Sequence, residues 1–271
     1  MYKHYLVTRF NIKKNNWREK VAEKSSWSRW MYKRVKMFEK YCLPSVLNQT
    51  TKNFNWIICI DTDTTNKYAK YFDELKHKYE IVNILEVPNI SKLTDVLKSE
   101  IKSSVNNEYK YIVTTRLDND DCIDRRYMGK IQDEVEKKNI DILSMEKGYQ
   151  LLLGKNKYLR EKVMHKGPFM SMVEDINKNR IETIYDKGHP QWNEERIRPI
   201  KNGAYWLQII HGDNLQNDES SGKVVRNVDL SQRFGVEEKV DIGNIMFAIK
   251  NLEHETKKFK TMLANRIRYY V

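Results

Sequence analysis

The stretch YKYIVTTRLDNDD, Tyr109 to Asp121, decides the fold class. Its β-branched run reads as a buried strand, and the Asp- and Asn-rich segment after Leu117 reads as a turn at the strand's carboxyl end. The chain upstream repeats the pattern. Tyr5 to Phe10 reads as a strand, and a helix from Trp27 to Tyr41 ends before Pro44. Trp56 to Ile60 (WIICI) is a second strand, stopping at Asp61-Thr-Asp-Thr-Thr65. Tyr68, Phe72, Leu75 and Tyr79 then recur at helical spacing, followed by a strand over Ile81 to Val87 and an amphipathic helix over Leu93 to Val105. Such alternation predicts an α/β fold, a mostly parallel sheet flanked by helices, with ligands bound beyond the carboxyl ends of the strands. Both acidic loops lie at those ends.

Downstream, a helix over Arg125 to Lys138 and a strand over Asp141 to Met145 precede shorter strand-like pieces at Tyr149 to Leu153, Phe169 to Val173 and Ile181 to Tyr185. They predict an acceptor-side α+β half. Tyr205 to His211 is the last clear strand, and Gly212 to Gly222 is turn-rich enough for a mobile loop. The reading divides the chain into a catalytic domain, 1–215, and a tail, 216–271, made of that loop and a basic amphipathic helix. Leu252, Thr256, Phe259, Leu263, Ile267 and Tyr270 fall on one face of this helix, with Lys257, Lys258, Lys260, Arg266 and Arg268 around it. The stripe is expected to pack on the catalytic domain; the alternative is an anionic membrane surface.

Composition narrows the classes. At 271 residues, with 40% hydrophobic and 11% aromatic residues, 10 Gly and 5 Pro, the chain is neither collagen-like nor low-complexity and can bury a real core. Apolar runs of about five residues are far short of the roughly 20 needed to span a bilayer. The amino terminus MYKHYLVTRFNIKKNN does not read as a signal peptide, so cytoplasmic residence, with peripheral contact at the inner face of the membrane, is expected. Cys42, Cys59 and Cys122 form no Cys-x-x-Cys and read as buried thiols. A net charge of +12 attracts polyanions. The basic residues are dispersed and match no nucleic-acid motif, so no specific nucleic-acid partner is expected.

The chemistry is expected at Asp118-Asn-Asp-Asp121. In extended backbone Asp118 and Asp120 face one side and Asn119 the other. Two converging carboxylates suit a hard divalent cation, Mg²⁺ or Mn²⁺, which keeps open positions for substrate phosphates. A nucleoside diphosphate would complete the shell, and the cation would stabilise charge on the departing diphosphate. Solvated turns and helix caps also use this composition, and Asp121 or Asp124 can cap the helix beginning near Arg125. Two competing readings are a metal-dependent nuclease or nucleotidyltransferase and a basic nucleic-acid-binding protein.

The segment EYKYIVTTRLDNDDCIDRRY, 108–127, resembles the acidic segment of nucleotide-sugar-dependent glycosyltransferases of the GT-A fold. TRFN at 8–11, FEKYCLPSVLNQT at 38–50, FNWIICIDTDT at 54–64, TRLDNDD at 115–121 and WLQIIHGDN at 206–214 resemble the rhamnosyltransferase family, in order over roughly the first four fifths of the chain. The resemblance implies a GT-A-like fold. It further implies a metal-dependent transferase that moves a sugar, rhamnose by resemblance alone, from a nucleoside-diphosphate donor to a glycan or lipid-linked acceptor in surface polysaccharide synthesis. Asp61 would contact the nucleobase or ribose, and Arg9 and Arg116 the diphosphate. Asp118, Asp120 and Asp121 would hold the donor, and Asp118, Asp120 and His211 the metal. The reading places the general base at Glu174 or Asp175, after the Phe169 strand, with Glu182, Asp186 and His189 as competitors. His189 and Trp192 are read as an acceptor wall, with core packing the other role for Trp192.

Overall fold

Strand β1 (Tyr2–Arg9) is buried along most of its length and lies in the interior of the larger sheet. The computed structural model describes residues 1–12, 27–106, 108–135, 137, 141–154, 156–177, 181–211 and 222–269. Helix α1 (Trp27–Met37) runs through a π-helical turn, Phe38–Cys42, into α2 (Leu43–Leu47). Strands β2 (Asn55–Asp61), β3 (Val82–Val87) and β4 (Tyr111–Arg116) alternate with helices α3 (Asn66–Lys78) and α4 (Leu93–Ser104), as the periodicity predicts. Beyond β4 come β5 (Cys122–Ile123), α5 (Tyr127–Val135), β6 (Ile142–Met145), β7 (Lys147–Leu152), β8 (Tyr158–Val163) and β9 (Met170–Asp175). The described chain closes with β10 (Ile197–Ile200), β11 (Trp206–Ile210), β12 (Lys223–Val225), α6 (Leu230–Phe234) and α7 (Asn244–Tyr269).

The seven-stranded sheet has the order β10-β6-β9-β4-β1-β2-β3. All of its neighbours are parallel except β9, which runs antiparallel to both β4 and β6. A second sheet, β12-β8-β7-β11-β5, is mixed. The chain leaves the first sheet at the end of β4 and enters the second at β5, so the turn Asp118–Asp121 sits at their junction. Trp206 fixes this junction: its ring stacks on Phe169 at 4.7 Å and its Nε1 donates to the Met145 carbonyl. A Cβ at position 148 would meet the Trp206 ring at 2.1 Å, so only glycine lets β7 pass it.

Several expectations change. Ile181 to Tyr185 forms no strand; Thr183 and Asp186 bond each other across a turn, and the Ile184 amide donates to Thr114 Oγ1. Of the helix predicted over Arg125 to Lys138, α5 is the described part; residues 136 and 138 lie outside the described residues, as does the predicted loop 212–222 but for Gly222. Past residue 215 the chain stays in contact with the body. β12 pairs with β8, while Leu230, Phe234 and Val236 pack with Tyr41, Cys122 and Leu207. Gly235 closes α6 at φ +66° against the Pro44 carbonyl. The described part of the apolar stripe is not packed on the core, Leu252 and Phe259 being 69% and 58% exposed, while the side chains of Ile267 and Tyr270 lie outside the described residues. The three cysteines are buried and unbridged, as expected.

Candidate active site

The parallel strands deliver Arg9, Asp61 and Asp118 to one edge, because β1, β2 and β4 point the same way and end together. Asn11, just past β1, ties the edge laterally: its Oδ1 accepts from the Asp61 amide and its Nδ2 donates to Thr64 Oγ1. Asp61 is buried, and its carboxylate accepts from the Asp63 amide.

The acidic turn is held by three arginines from three elements. Arg116 Nη2 donates to both carboxylate oxygens of Asp118 at 3.1 and 3.2 Å, and Arg9 Nη2 lies 3.6 Å from the same carboxylate. Both guanidiniums lie over the Tyr185 ring, at 5.3 Å for Arg9 and 5.6 Å for Arg116. Arg34, from α1, donates through Nη1 to Asp120 Oδ2 at 2.5 Å and to Asn119 Oδ1 at 3.2 Å. His211 Nε2 lies 3.2 Å from the same Asp120 oxygen. Asn119 does not point away: it is buried, and its Nδ2 donates to the Phe10 carbonyl.

These contacts separate the three acids. Burial opposes ionisation of Asp118, but Arg116 and Arg9 outweigh it and hold its carboxyl down at about 2. Burial likewise opposes ionisation of Asp120, and Arg34 with the His211 hydrogen bond still keeps it below the ordinary carboxylate range. Asp121 goes the other way. Burial and the adjacent charges of Asp120 and Asp118 push it well above that range, and its Oδ1 accepts from the Ile209 amide of β11. That bond latches the turn to the second sheet.

Donor chemistry at this edge suits a divalent cation, since a carboxylate oxygen of Asp120 and the imidazole of His211 already face each other beside a second ionised carboxylate. The arrangement is two-pointed as it stands, with Asp118 turned to Arg116 and Arg9. Among the described residues no three His, Cys, Asp or Glu side chains converge as a metal-ligand group.

Residues 3–223 match the family model described as "Putative rhamnosyl transferase". The chain belongs to this family. No curated protein matches it significantly. Crystal structures of S. aureus TarS 1-349 are similar at 10% identity and a TM-score of 0.46, covering 76% of this chain in one structure and 78% in the complex with UDP-GlcNAc. The chain spans 60% of the length of those TarS chains. A crystal structure described as a putative nucleotide-diphospho-sugar transferase from Desulfovibrio desulfuricans G20 is similar at 8% identity and a TM-score of 0.32, over 60% of this chain and 64% of that one.

This family member does not bring every predicted residue to the edge. Glu174 pairs with Ile112 and Asp175 with Tyr111, at the start of β4. From Ile112 to Arg116 the strand rises roughly 13 Å, so neither acid meets Asp118. The reason is direction: β9 is antiparallel, and its carboxyl end lies at the opposite edge. Glu182 is engaged by Arg196 and Asp186 by Lys98. Trp192 is 1% exposed among Ile142, Met170, Met172 and Ile184, so it is core and not an acceptor wall. Asp124 does sit at the helix start, accepting from the Arg126 amide and pairing with Arg126 and Arg233. His189 stays half-buried at the site side, where burial lowers its pKa and the charges of Arg116, Asp118 and Arg9 act on it more weakly. Its Nδ1 is 2.5 Å from the Lys166 carbonyl.

Arg34 and Tyr185 were missed by the sequence reading. Arg34 had a signal: it falls on the apolar face of α1 with Trp30, Met31 and Val35, where a buried arginine requires a charged partner. Tyr185 had none, because its role depends on a loop folding back across β1 and β4.

Proposed function

We propose that this chain is a glycosyltransferase that binds a nucleoside-diphosphate sugar at the carboxyl edge of β1, β2 and β4 and transfers the sugar to a hydroxyl of a glycan or lipid-linked acceptor. The observation that carries the reading is the set of guanidiniums of Arg9, Arg116 and Arg34 gathered around two ionised carboxylates at a strand-end turn, in a chain of the rhamnosyl transferase family. Arg9 and Arg116, backed by Tyr185, are placed to exchange Asp118 for diphosphate oxygens. Asp61 and Asn11, one strand over, suit the ribose or base. Rhamnose is the sugar that family membership favours.

Asp120 and His211, with Asp118 beside them, are the residues that would hold Mn²⁺ or Mg²⁺. Such a cation, when bound, supplies Lewis-acid stabilisation of the departing diphosphate. The general base we assign to His189. A backbone carbonyl only accepts, so Nδ1 carries the proton and donates to Lys166, leaving the Nε2 lone pair for an acceptor hydroxyl. Burial, outweighing the Lys166 hydrogen bond, holds the ring below its ordinary pKa, which keeps it neutral. The acceptor proton passes to Nε2 as the new glycosidic bond forms and the bond from sugar to diphosphate breaks.

A thermal-shift panel of nucleoside diphosphates, each with and without Mn²⁺ or Mg²⁺, tests the reading. Stabilisation by one nucleoside diphosphate, lost in Arg116→Ala, is expected. Indifference to every nucleoside diphosphate, together with cleavage or extension of nucleic acid, would replace sugar transfer with phosphoryl chemistry.

A further inference from the structure

Helix α7 is attached to the body by one face near its start. Asn251 Oδ1 accepts from the Val224 amide and its Nδ2 donates to the Val224 carbonyl, so the side chain takes the place of a neighbouring strand on β12. Phe247, against the Arg226 guanidinium at 4.1 Å, packs beside Ile242 and Val224. With Phe247 and Asn251 turned inward, the opposite face carries Ile245, Ile249, Leu252, Phe259 and Leu263 outward, and Ile245 is 79% exposed. Of the ten large hydrophobic residues exposed among the described residues, seven are on this helix, which makes a patch and not scattered surface residues.

Charge decides what covers it. Lys250, Lys257, Lys258 and Lys260 stand against only Glu253 and Glu255 along the described side chains of the helix, on a chain of net charge +12. A second copy would bring the same positive charge to the same seam. Met246 and Met262 also widen the apolar face beyond the two positions per heptad that a helix–helix seam uses. A lysine-bordered apolar face of this width matches an anionic lipid surface.

We propose that α7 is a membrane-surface helix, lying in the headgroup region of an anionic bilayer with Ile245, Leu252, Phe259 and Leu263 sunk toward the acyl chains and its lysines among the headgroups. The attachment through Asn251 then holds the body at the bilayer. The stripe is outside the core, so charging it leaves the fold intact.

Flotation of the full chain with phosphatidylglycerol-containing vesicles and with pure phosphatidylcholine vesicles is the test. Binding to the anionic vesicles is expected to be at least tenfold tighter and to weaken as salt rises. The double variant Leu252→Glu/Phe259→Glu should lose at least tenfold in binding with an unchanged Tm, and Lys257→Glu/Lys258→Glu should lose the preference for anionic lipid. Failure to float with anionic vesicles at low salt, or equal flotation of the Leu252→Glu/Phe259→Glu variant, overturns the proposal. So does a dimer, formed without lipid, that the same variant splits. The assay uses neither donor nor acceptor, so its failure and that of the sugar-transfer reading are separate events.

Discussion

Two acidic pairs flank the same strand and have opposite fates. Asp118 and Asp120 follow the carboxyl end of β4, where three arginines and a histidine meet them. Glu174 and Asp175 close β9, whose antiparallel course carries them to the start of β4. There Glu174 is buried and Asp175 accepts from the Asn177 amide in a local turn. Two acids at the end of a strand say little about function until the strand's direction is known. In a parallel sheet every carboxyl end faces one edge, and loops from distant segments pool their side chains there.

The sharpest way to break this contrast is Asp120→Asn. With Arg34 and His211 deprived of their shared carboxylate, kcat/KM should fall by about 10²–10³-fold, the size expected for loss of an electrostatic anchor in a buried site. The melting temperature should fall by several degrees as Arg34 loses its partner. Loss of the ion pair without loss of turnover would place the chemistry elsewhere.

His189→Gln comes next. Its amide can still donate to the Lys166 carbonyl, so the loop should hold while kcat drops by about 10²-fold and the donor KM stays near the parent value. A change in KM alone would make His189 a binding residue.

A pH titration sharpens the comparison within β1 and β4. His4 is buried against Thr115 and Gln132, and burial lowers its pKa to about 3. The unfolded chain takes up this proton from about pH 6.5 downward, so stability is full above that pH and falls toward pH 3, by up to about 1.4 kcal/mol per unit. Asp118, held at about 2, contributes no slope above the ordinary carboxylate range, and its share of the stability is lost only as pH falls from about 4 toward 2. Thermal melts of His4→Gln should lose the slope between pH 6.5 and 4. If they keep it, another group sets the acid limit.

The smallest effect belongs to Glu174→Gln, which should leave turnover within about twofold of the parent, as measured by the same transfer assay. A loss comparable to that of Asp120→Asn would return the general base to β9 and erase the difference between the two pairs.

Much of the fold was legible in the chain. The strands β1, β2, β3 and β4 and the helices between them follow from β-branched runs alternating with helical spacing, and the strand-end position of Asp61, Asp118 and Asp120 follows from the same rhythm. The acceptor half was legible only in pieces. Ile181 to Tyr185 has strand composition, but Thr183 and Asp186 bend it, and the bend is what sets Tyr185 beneath Arg9 and Arg116. The helix over 244–269 was visible as an amphipathic pattern, whereas its exposure was not, because periodicity marks an apolar face without saying what meets it.

The sequence alone determined the alternating α/β architecture, the acidic turn after β4 and the family, since local propensity and ordered motifs are properties of neighbouring residues. Tertiary structure alone decided that β9 runs antiparallel, that Arg34 from a distant helix closes on Asp120, and that Asp121 is a latch while its neighbours stay ionised. These depend on strand direction, burial and the Coulomb field of side chains up to about a hundred positions apart, none of which a local pattern encodes.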